Sequence, residues 1–321
     1  MNDQKPNEPV SQATPRLSVV VPTYRGGDLL RLTLRSLSRQ EFPAAGAEII
    51  VVDDGSPEFD PSDLPALCDP LRLNVIQFPN NRGRAGARNA GIKASSGDIV
   101  IFLDDDMTVP VDFLTAHDRF HRHHPGEVAI GNIRFADSVE PSEMTRYAES
   151  RGVQRYSSGE PVPFKCFVTG NSSVERQHLL NVGLFDEAFS EYGGEDLELG
   201  YRLHLDGRPF RFAGGAISHH HRGRSFDEMC ELMYTYGSRS LTHVVTKHEE
   251  LNELLRLDFL SRSPFSPRRI FLRLALMPLV HHAVRAFVRR RLDHRVPYLC
   301  FDYLWWYNRT RGFLAATRGA E

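Results

Sequence analysis

Apolar residues fall in short, nearly unbroken runs along the first third of the chain: Leu17 to Pro22, Ala47 to Val52, Leu73 to Phe78 and Ile99 to Leu103. Runs of this length, rich in Val and Ile, suit strands buried on both faces, as in a parallel sheet. Between them the period changes. Asp28 to Gln40 places Leu29, Leu30, Leu34 and Leu37 on one helical face, and Gly86 to Ala94 reads as a second helix. Strands alternating with helices predict a mostly parallel α/β sheet covered by helices on both sides. Ligands bind such sheets beyond the carboxyl ends of the strands. Asp53-Asp54 and Asp104-Asp105-Asp106 stand at those ends.

The second half is less regular. Val128 to Phe135 reads as a strand, Thr169 to Ser173 as a loop followed by a helix, and Gly193-Gly194 as the lead into a helix beginning near Glu195. Ser225 with Glu228 makes a capping box for a long helix to about Lys247. From about residue 250 the pattern is helical and basic. Residues 1–16 are polar and Pro-rich, as a disordered tail is. The expected organisation is this tail, a catalytic unit over 17–249, and a helical basic extension over 250–321.

Composition narrows the options. A formal net charge of −2 argues against a general nucleic-acid binder. The charge is uneven, however: residues 262–295 hold nine Arg and a single acid, Asp293. The four cysteines are far apart and form no metal-binding or disulfide framework, which suits a reducing compartment. The N-terminus shows no apolar run of the signal-peptide kind, and no stretch reaches the ~18 apolar residues of a spanning helix. A cytoplasmic protein is expected.

Three carboxylates crowded at one strand end repel one another unless a cation neutralises them, and hard oxygen donors suit Mg²⁺ or Mn²⁺. An acidic surface turn is the plainer alternative. Asp53-Asp54 at a strand tip can accept hydrogen bonds from a base or a ribose hydroxyl, although Asp-Gly-Ser is also ordinary turn chemistry. Arg82, Arg84 and Arg88 in the small-residue segment 80–91 can meet a diphosphate or the acidic clusters, or can be solvated cations on a packed helix. That segment is neither GxGxxG nor Walker A. Glu195-Asp196 opens a helix, where amide dipoles favour an ionised carboxylate. Such a group can act as a base toward a hydroxyl, or it can simply be good helix-end electrostatics. A histidine among His219, His220 and His221 can be a metal ligand, or all three can be structural.

In order, these pieces resemble the catalytic domain of glycosyltransferase family 2, of the GT-A fold. The matching stretches run from Ser18 to Tyr24, Val51 to Ser56, Ala87 to Gly91, Gly97 to Asp106, Thr169 to Asn171, Gly183 to Glu187 and Gly194 to Asp196, and they cover about residues 17–221. The resemblance implies a Rossmann-like sheet. It implies that Pro22, Thr23, Tyr24, Asp53 and Asp54 hold the nucleotide base. Arg88 and Asn89 would lie along the nucleotide. Asp104 and Asp106 would bind ribose and the divalent metal, with Asp105 in the variable middle place of the donor site. Asp196 would be the base, with Glu195 beside it. Thr169, Gly170 and Asn171 would flank donor sugar and acceptor. Of the three histidines, His219 matches the remaining metal ligand.

The expected activity is therefore inverting, metal-dependent transfer of a sugar from a nucleotide sugar, UDP being the favoured nucleotide, to a hydroxyl of a glycan or lipid-linked acceptor in polysaccharide or glycoconjugate synthesis. The Gln-x-x-Arg-Trp motif and the membrane helices of processive cellulose and chitin synthases are missing, so a pore-coupled polymerase is not expected. A sugar nucleotidyltransferase and a non-catalytic sugar-binding protein are the rivals. Tyr24 stands where the former needs a phosphate cradle, and the metal and base carboxylates count against the latter. The basic and aromatic C-terminal segment, with Pro278 bending its helix, suits contact with an anionic membrane surface without crossing it. A helical subdomain with solvated Arg and buried aromatics is the plainer reading.

Overall fold

The computed structural model describes residues 14–189, 191–255, 257 and 267–318. The tail expected over 1–16 lies, except for its last three residues, outside that range. Four parallel strands form one half of the sheet: β1 (Leu17–Thr23), β2 (Ala47–Asp53), β3 (Arg72–Gln77) and β4 (Ile99–Leu103), adjacent in the order β3-β2-β1-β4. Every residue of β2 and β4 is buried, which explains why their sequence lacks a polar face. Helices α1 (Gly27–Ser38), α2 (Leu64–Cys68) and α3 (Gly83–Ala94) make the crossovers. Strand alternation divides the core in two. Val19, Val21, Ile49 and Ile101 pack with Leu30, Leu34 and Leu37 of α1, whereas Val20, Ile50, Val100 and Phe102 pack with Ala85, Ala87 and Ile92 of α3.

The other half mixes directions. It contains β5 (Met107–Thr108), α4 (Phe113–His123), β6 (Val128–Phe135), α5 (Glu143–Arg151), β7 (Asn171–Glu175), α6 (Arg176–Asn181), α7 (Glu195–Leu205) and β8 (Phe210–His220). The full order is β3-β2-β1-β4-β7-β6-β8-β5, with β7 antiparallel to both neighbours, β6 parallel to β8, and β5 antiparallel to β8. The loop expected over Thr169 to Ser173 is corrected here. From Asn171 onward these residues form β7, in the middle of the sheet. The buried side chains of Asn171 and Ser173 find partners on α4: His117 bonds Ser173 Oγ at 2.8 Å and Asn171 Oδ1 at 3.2 Å, and His121 bonds Ser173 Oγ at 2.8 Å.

The remaining chain is helical. Ser225 and Glu228 close the expected capping box, and α8 (Phe226–Thr235) continues through a π-turn, Tyr236–Ser240, into α9 (Leu241–Lys247). Then come α10 (Leu251–Leu254), α11 (Pro267–Ala275), α12 (Pro278–Arg289) and α13 (Tyr298–Arg318). Pro278 breaks the chain between α11 and α12 rather than bending one helix; as the first residue of α12 it needs no amide donor. Helix α13 crosses α8 and the π-turn in backbone contact. A Cβ on Gly312 would lie 2.1 Å from the Tyr234 carbonyl oxygen, and one on Gly237 would lie 2.0 Å from that of Arg309. Tyr147 of α5 closes the same cluster with Phe226, Phe301 and Leu304. Among the described residues no helix is long and apolar enough to cross a membrane.

Candidate active site

The site forms where β1, β2 and β4 end and β8 arrives beside them. Asp53 is fully buried and accepts the Ser56 amide at 3.1 and 3.3 Å. Asp54 accepts the Arg82 amide at 2.6 Å, and burial raises its carboxyl above the usual range. Thr23 donates its hydroxyl to Asp105 Oδ2 at 2.5 Å. Pro22 sits in the β1 ladder opposite Val52. Tyr24 is 45% exposed just beyond it, its ring under the Arg25 guanidinium. Pro22, Thr23, Tyr24, Asp53 and Asp54 thus share one rim, made by two adjacent parallel strands in register.

Arg88 is the centre of a charge cluster. It is 4% exposed, and its guanidinium lies 3.2 Å from Asp104 Oδ1, 3.2 Å from Glu195 Oε1 and 4.0 Å from Asp196 Oδ1. Burial works against its charge, but the three carboxylates outweigh it and hold the group firmly protonated. Arg88, expected along the nucleotide, lies among the acids. Asn89, expected beside it, is engaged by the protein itself. Its amide donates to the Phe185 carbonyl at 3.0 Å and to Glu187 at 2.9 Å, and its carbonyl accepts the Phe185 amide at 2.9 Å, so its polar atoms hold the 185–187 loop. Asn171 is likewise engaged. It is fully buried, donating to the Ala216 carbonyl and Ser218 and accepting from His117. Its neighbour Gly170 does reach the site, since a Cβ there would stand 3.2 Å from Asp104 Oδ2.

Gly193 and Gly194, at φ +74° and +96°, turn the chain into α7. Side chains are disfavoured at both angles, and both residues lie close against the helix above: Tyr236 over Gly193, Ser240 over Gly194. The turn separates the two acids it delivers. Glu195 points inward to Arg88, whereas the Asp196 side chain keeps 24% of its exposure. Thr169 fixes Asp196 from the other side, its amide donating to Oδ2 at 3.2 Å and its hydroxyl to Oδ1 at 3.0 Å. Burial, then the charge of Glu195, pushes the Asp196 carboxyl up to about 7, against the pull of Arg88 and the Thr169 amide. A carboxylate with that affinity for a proton is suited to accept one near neutral pH. The matching stretch placed Thr169 near the site, but its bond to Asp196 is visible only in three dimensions.

Asp106 is buried. Its Oδ1 has no hydrogen-bond partner, while Oδ2 lies 3.2 Å from His220 Nε2 and 3.8 Å from Arg222 Nε. The histidine expected here was His219. Strand alternation puts His220, paired with Met107 and Phe135, on the face that meets Asp106, and His219 on the other. His221 has both ring nitrogens occupied, by Thr108 and Ser138 at 2.8 and 3.0 Å. An orphaned carboxylate oxygen beside an imidazole is a donor set that fits Mn²⁺ or Mg²⁺. Among the described residues no three His, Cys, Asp or Glu side chains converge into a complete cage. Mg²⁺-type ions commonly take one or two carboxylates and leave the remaining positions to substrate phosphates and water. Asp104, expected as a second metal ligand, pairs through Oδ1 with Arg88.

A cleft of about 400 Å³ opens from His220 toward Val168, next to Thr169. Its walls are β6, the last turn of α5, the turn over 153–155, and the segment 165–168.

The sequence model described as glycosyl transferase family 2 matches residues 18–180, more than half of the chain, and the model described as the N-terminal domain of galactosyltransferase matches residues 150–222. The validoxylamine A glucosyltransferase of Streptomyces hygroscopicus subsp. jinggangensis is 31% identical over 223 residues, covering 61% of this chain and 53% of its own. The chain spans between half and two thirds of the length of the curated relatives it matches first. Two solved structures share the fold. One is S. aureus TarS 1–349 in complex with UDP, at TM-score 0.58 and 19% identity, covering 95% of this chain and 92% of its own. The other is the Pyrobaculum calidifontis mannosyltransferase PcManGT in complex with GDP-Man and Mn²⁺, at TM-score 0.58 and 17% identity, covering 95% and 86%. With the ordered motifs, the strand-end carboxylates and a family model spanning most of the sheet in agreement, the chain belongs to glycosyltransferase family 2 and carries its GT-A fold.

Proposed function

We propose that the chain transfers a sugar from a nucleotide-sugar donor, a UDP-sugar, to a hydroxyl of a glycan or lipid-linked acceptor, with inversion at the anomeric carbon. The observation that carries this reading is Asp196: a partly exposed carboxylate with raised proton affinity, oriented by Thr169 and set beside the Arg88 cluster. Tyr24, Asp53 and Asp54 would receive the base and ribose, with Thr23 holding Asp105 below them. Asp106 and His220 would hold Mn²⁺ or Mg²⁺, whose chemistry when bound is to neutralise charge on the departing nucleoside diphosphate. Arg88 keeps Asp104, Glu195 and Asp196 together at low cost in repulsion.

The acceptor, approaching through the cleft, gives its hydroxyl proton to Asp196. The hydroxyl oxygen bonds to the anomeric carbon from the face opposite the donor phosphate, and the broken bond's electron pair leaves with the diphosphate. An α-linked donor then yields a β-linked product. The C-terminal helices support a second element of the proposal, peripheral contact with the inner face of an anionic membrane. Seven large exposed hydrophobic residues lie between 271 and 299, with Phe271, Leu279 and Leu299 at 69%, 75% and 76% exposure, in a segment whose charges are almost all Arg.

Asp196→Asn tests the core of the reading. Transfer should fall by roughly 10²–10⁴, the usual contribution of a positioned base, while UDP binding in the presence of Mn²⁺ is retained. The released product should be nucleoside diphosphate, not pyrophosphate. Transfer that survives in the folded variant overturns the assignment, and a larger loss from Glu195→Gln at equal stability gives the role to Glu195.

A further inference from the structure

The cleft between His220 and Val168 carries more charge than a neutral hydroxyl acceptor requires. Its walls are largely apolar, with Ile133, Phe135, Val153 and Val168 facing it. Around them stand four cations, Arg134, Arg151, Arg155 and Lys165, and one acid, Glu149. Glu149 is engaged by the Phe135 amide at 3.2 Å, and Arg151 is neutralised by Asp302 of α13. Arg134, Arg155 and Lys165 have no carboxylate partner among the described residues.

Two of these cations are held in place by the fold. Phe164 and Phe167 anchor the turn over 164–167: Phe164 stacks on His204 and meets Tyr201, and Phe167 packs edge-on against Phe102 and Phe210. Lys165, between those two anchors, is left exposed. Arg155 lies with its guanidinium 5.0 Å from the centre of the Tyr156 ring. Burial raises the Cys166 thiol in the cleft wall, and the charges of Arg155 and Lys165 act against that rise. Arg155 and Lys165 are exposed at the rim of an apolar cleft and have no carboxylate partner among the described residues, so both can form charge-assisted hydrogen bonds with an anion seated between them.

We infer that this cleft selects an acceptor bearing an anionic group, a phosphate or a carboxylate, near its nucleophilic hydroxyl, with Arg155 and Lys165 as the residues that recognise it. The inference rests on reading Asp196 as the base that faces the acceptor. Glucose, glucuronate and glucose 6-phosphate share a ring and differ in charge, so their dissociation constants from the full chain at low salt test it. The titrations are run with and without UDP and Mn²⁺.

Either charged sugar should bind about tenfold or more tightly than glucose, in keeping with charge-assisted hydrogen bonds from two cations. The tighter of the two names the anion. The preference should persist without UDP, because the cations belong to the cleft and not to the donor site. It should collapse in R155Q/K165Q, a variant whose melting temperature and UDP affinity should match the wild type. Equal binding of glucose, a preference that survives the double substitution, or displacement of UDP by the charged sugars overturns the inference. A protein that shows the charge preference yet binds no UDP keeps the inference and refutes the donor reading.

Discussion

Replacing Thr169 by valine should shift the acid limb of the activity profile upward in pH while leaving the maximal rate nearly intact. Valine matches threonine in shape and keeps the backbone amide, so the change removes only the hydroxyl bond to Asp196 Oδ1, 3.0 Å long. A hydrogen bond to a charged group contributes about 1.5–3 kcal/mol. Water at the partly exposed Asp196 carboxylate replaces part of that, leaving on the order of 1 kcal/mol. Since one pKa unit corresponds to about 1.4 kcal/mol, Asp196 should rise by roughly half to one unit from its already elevated value near 7. The sign follows from the role. A base works deprotonated, activity falls as pH drops through its pKa, and a higher pKa moves that fall to higher pH. The assay is kcat/KM for transfer against pH, which reports the free enzyme. An unmoved acid limb in a folded variant, or a rate lost equally at every pH, would refute the reasoning that Thr169 acts through the proton affinity of Asp196.

Other outcomes follow from the same geometry. His220→Ala and Asp106→Ala should each weaken Mn²⁺-dependent nucleotide-sugar binding, measured by calorimetry, and His219→Ala should not; the reverse order returns the ligand role to His219. Gly312→Ala should lower the melting temperature, because overlap with the Tyr234 carbonyl costs about 1–3 kcal/mol or more against a helix-propensity gain of about 1 kcal/mol; an unchanged melting temperature would show that the crossing relaxes freely. Phe271→Glu with Leu279→Glu should weaken binding to anionic vesicles at low salt, read by co-sedimentation, by roughly a hundredfold or more, since fully burying each parent side chain is worth about 1.5–3 kcal/mol. A wild-type chain that ignores such vesicles removes the membrane proposal altogether.

The sequence was most readable where one physical demand dominates. Strands β1 to β4 are buried on both faces, so Val and Ile runs mark them, and the acids at their tips have few structural reasons to be there. Ser225 and Glu228 announce a helix start through local hydrogen bonding alone. Strand β7 escaped because Asn171, Ser172 and Ser173 are buried although polar, the first and last of them bonded to histidines of α4, which leaves no apolar signal. That His220 and not His219 meets Asp106 was hidden for a different reason. Between Gly131 and Asn132 the β6–β8 register jumps, with Ala213 opposite the first and Ile217 opposite the second. No count along the sequence anticipates which face the histidines then take. Asn89 and Asn171 fall in matching stretches, yet which of their atoms are already engaged is decided by residues about a hundred positions away for the first and about fifty for the second.

The close crossing at Gly237 and Gly312 bears on how this protein can be divided. The π-turn that receives α13 on one side touches Gly193 and Gly194 on the other, and those two residues set the direction from which Asp196 enters the site. The helical extension beyond residue 250 is thus packed through α13 against the segment that supports the catalytic unit. A shortened chain without α13 would leave a groove along α8 and loosen the support of the catalytic turn, so its inactivity would say nothing about vesicles or acceptors. Questions about the C-terminal surface have to be asked by repainting its exposed side chains on an intact chain, and a fusion partner belongs at the amino end.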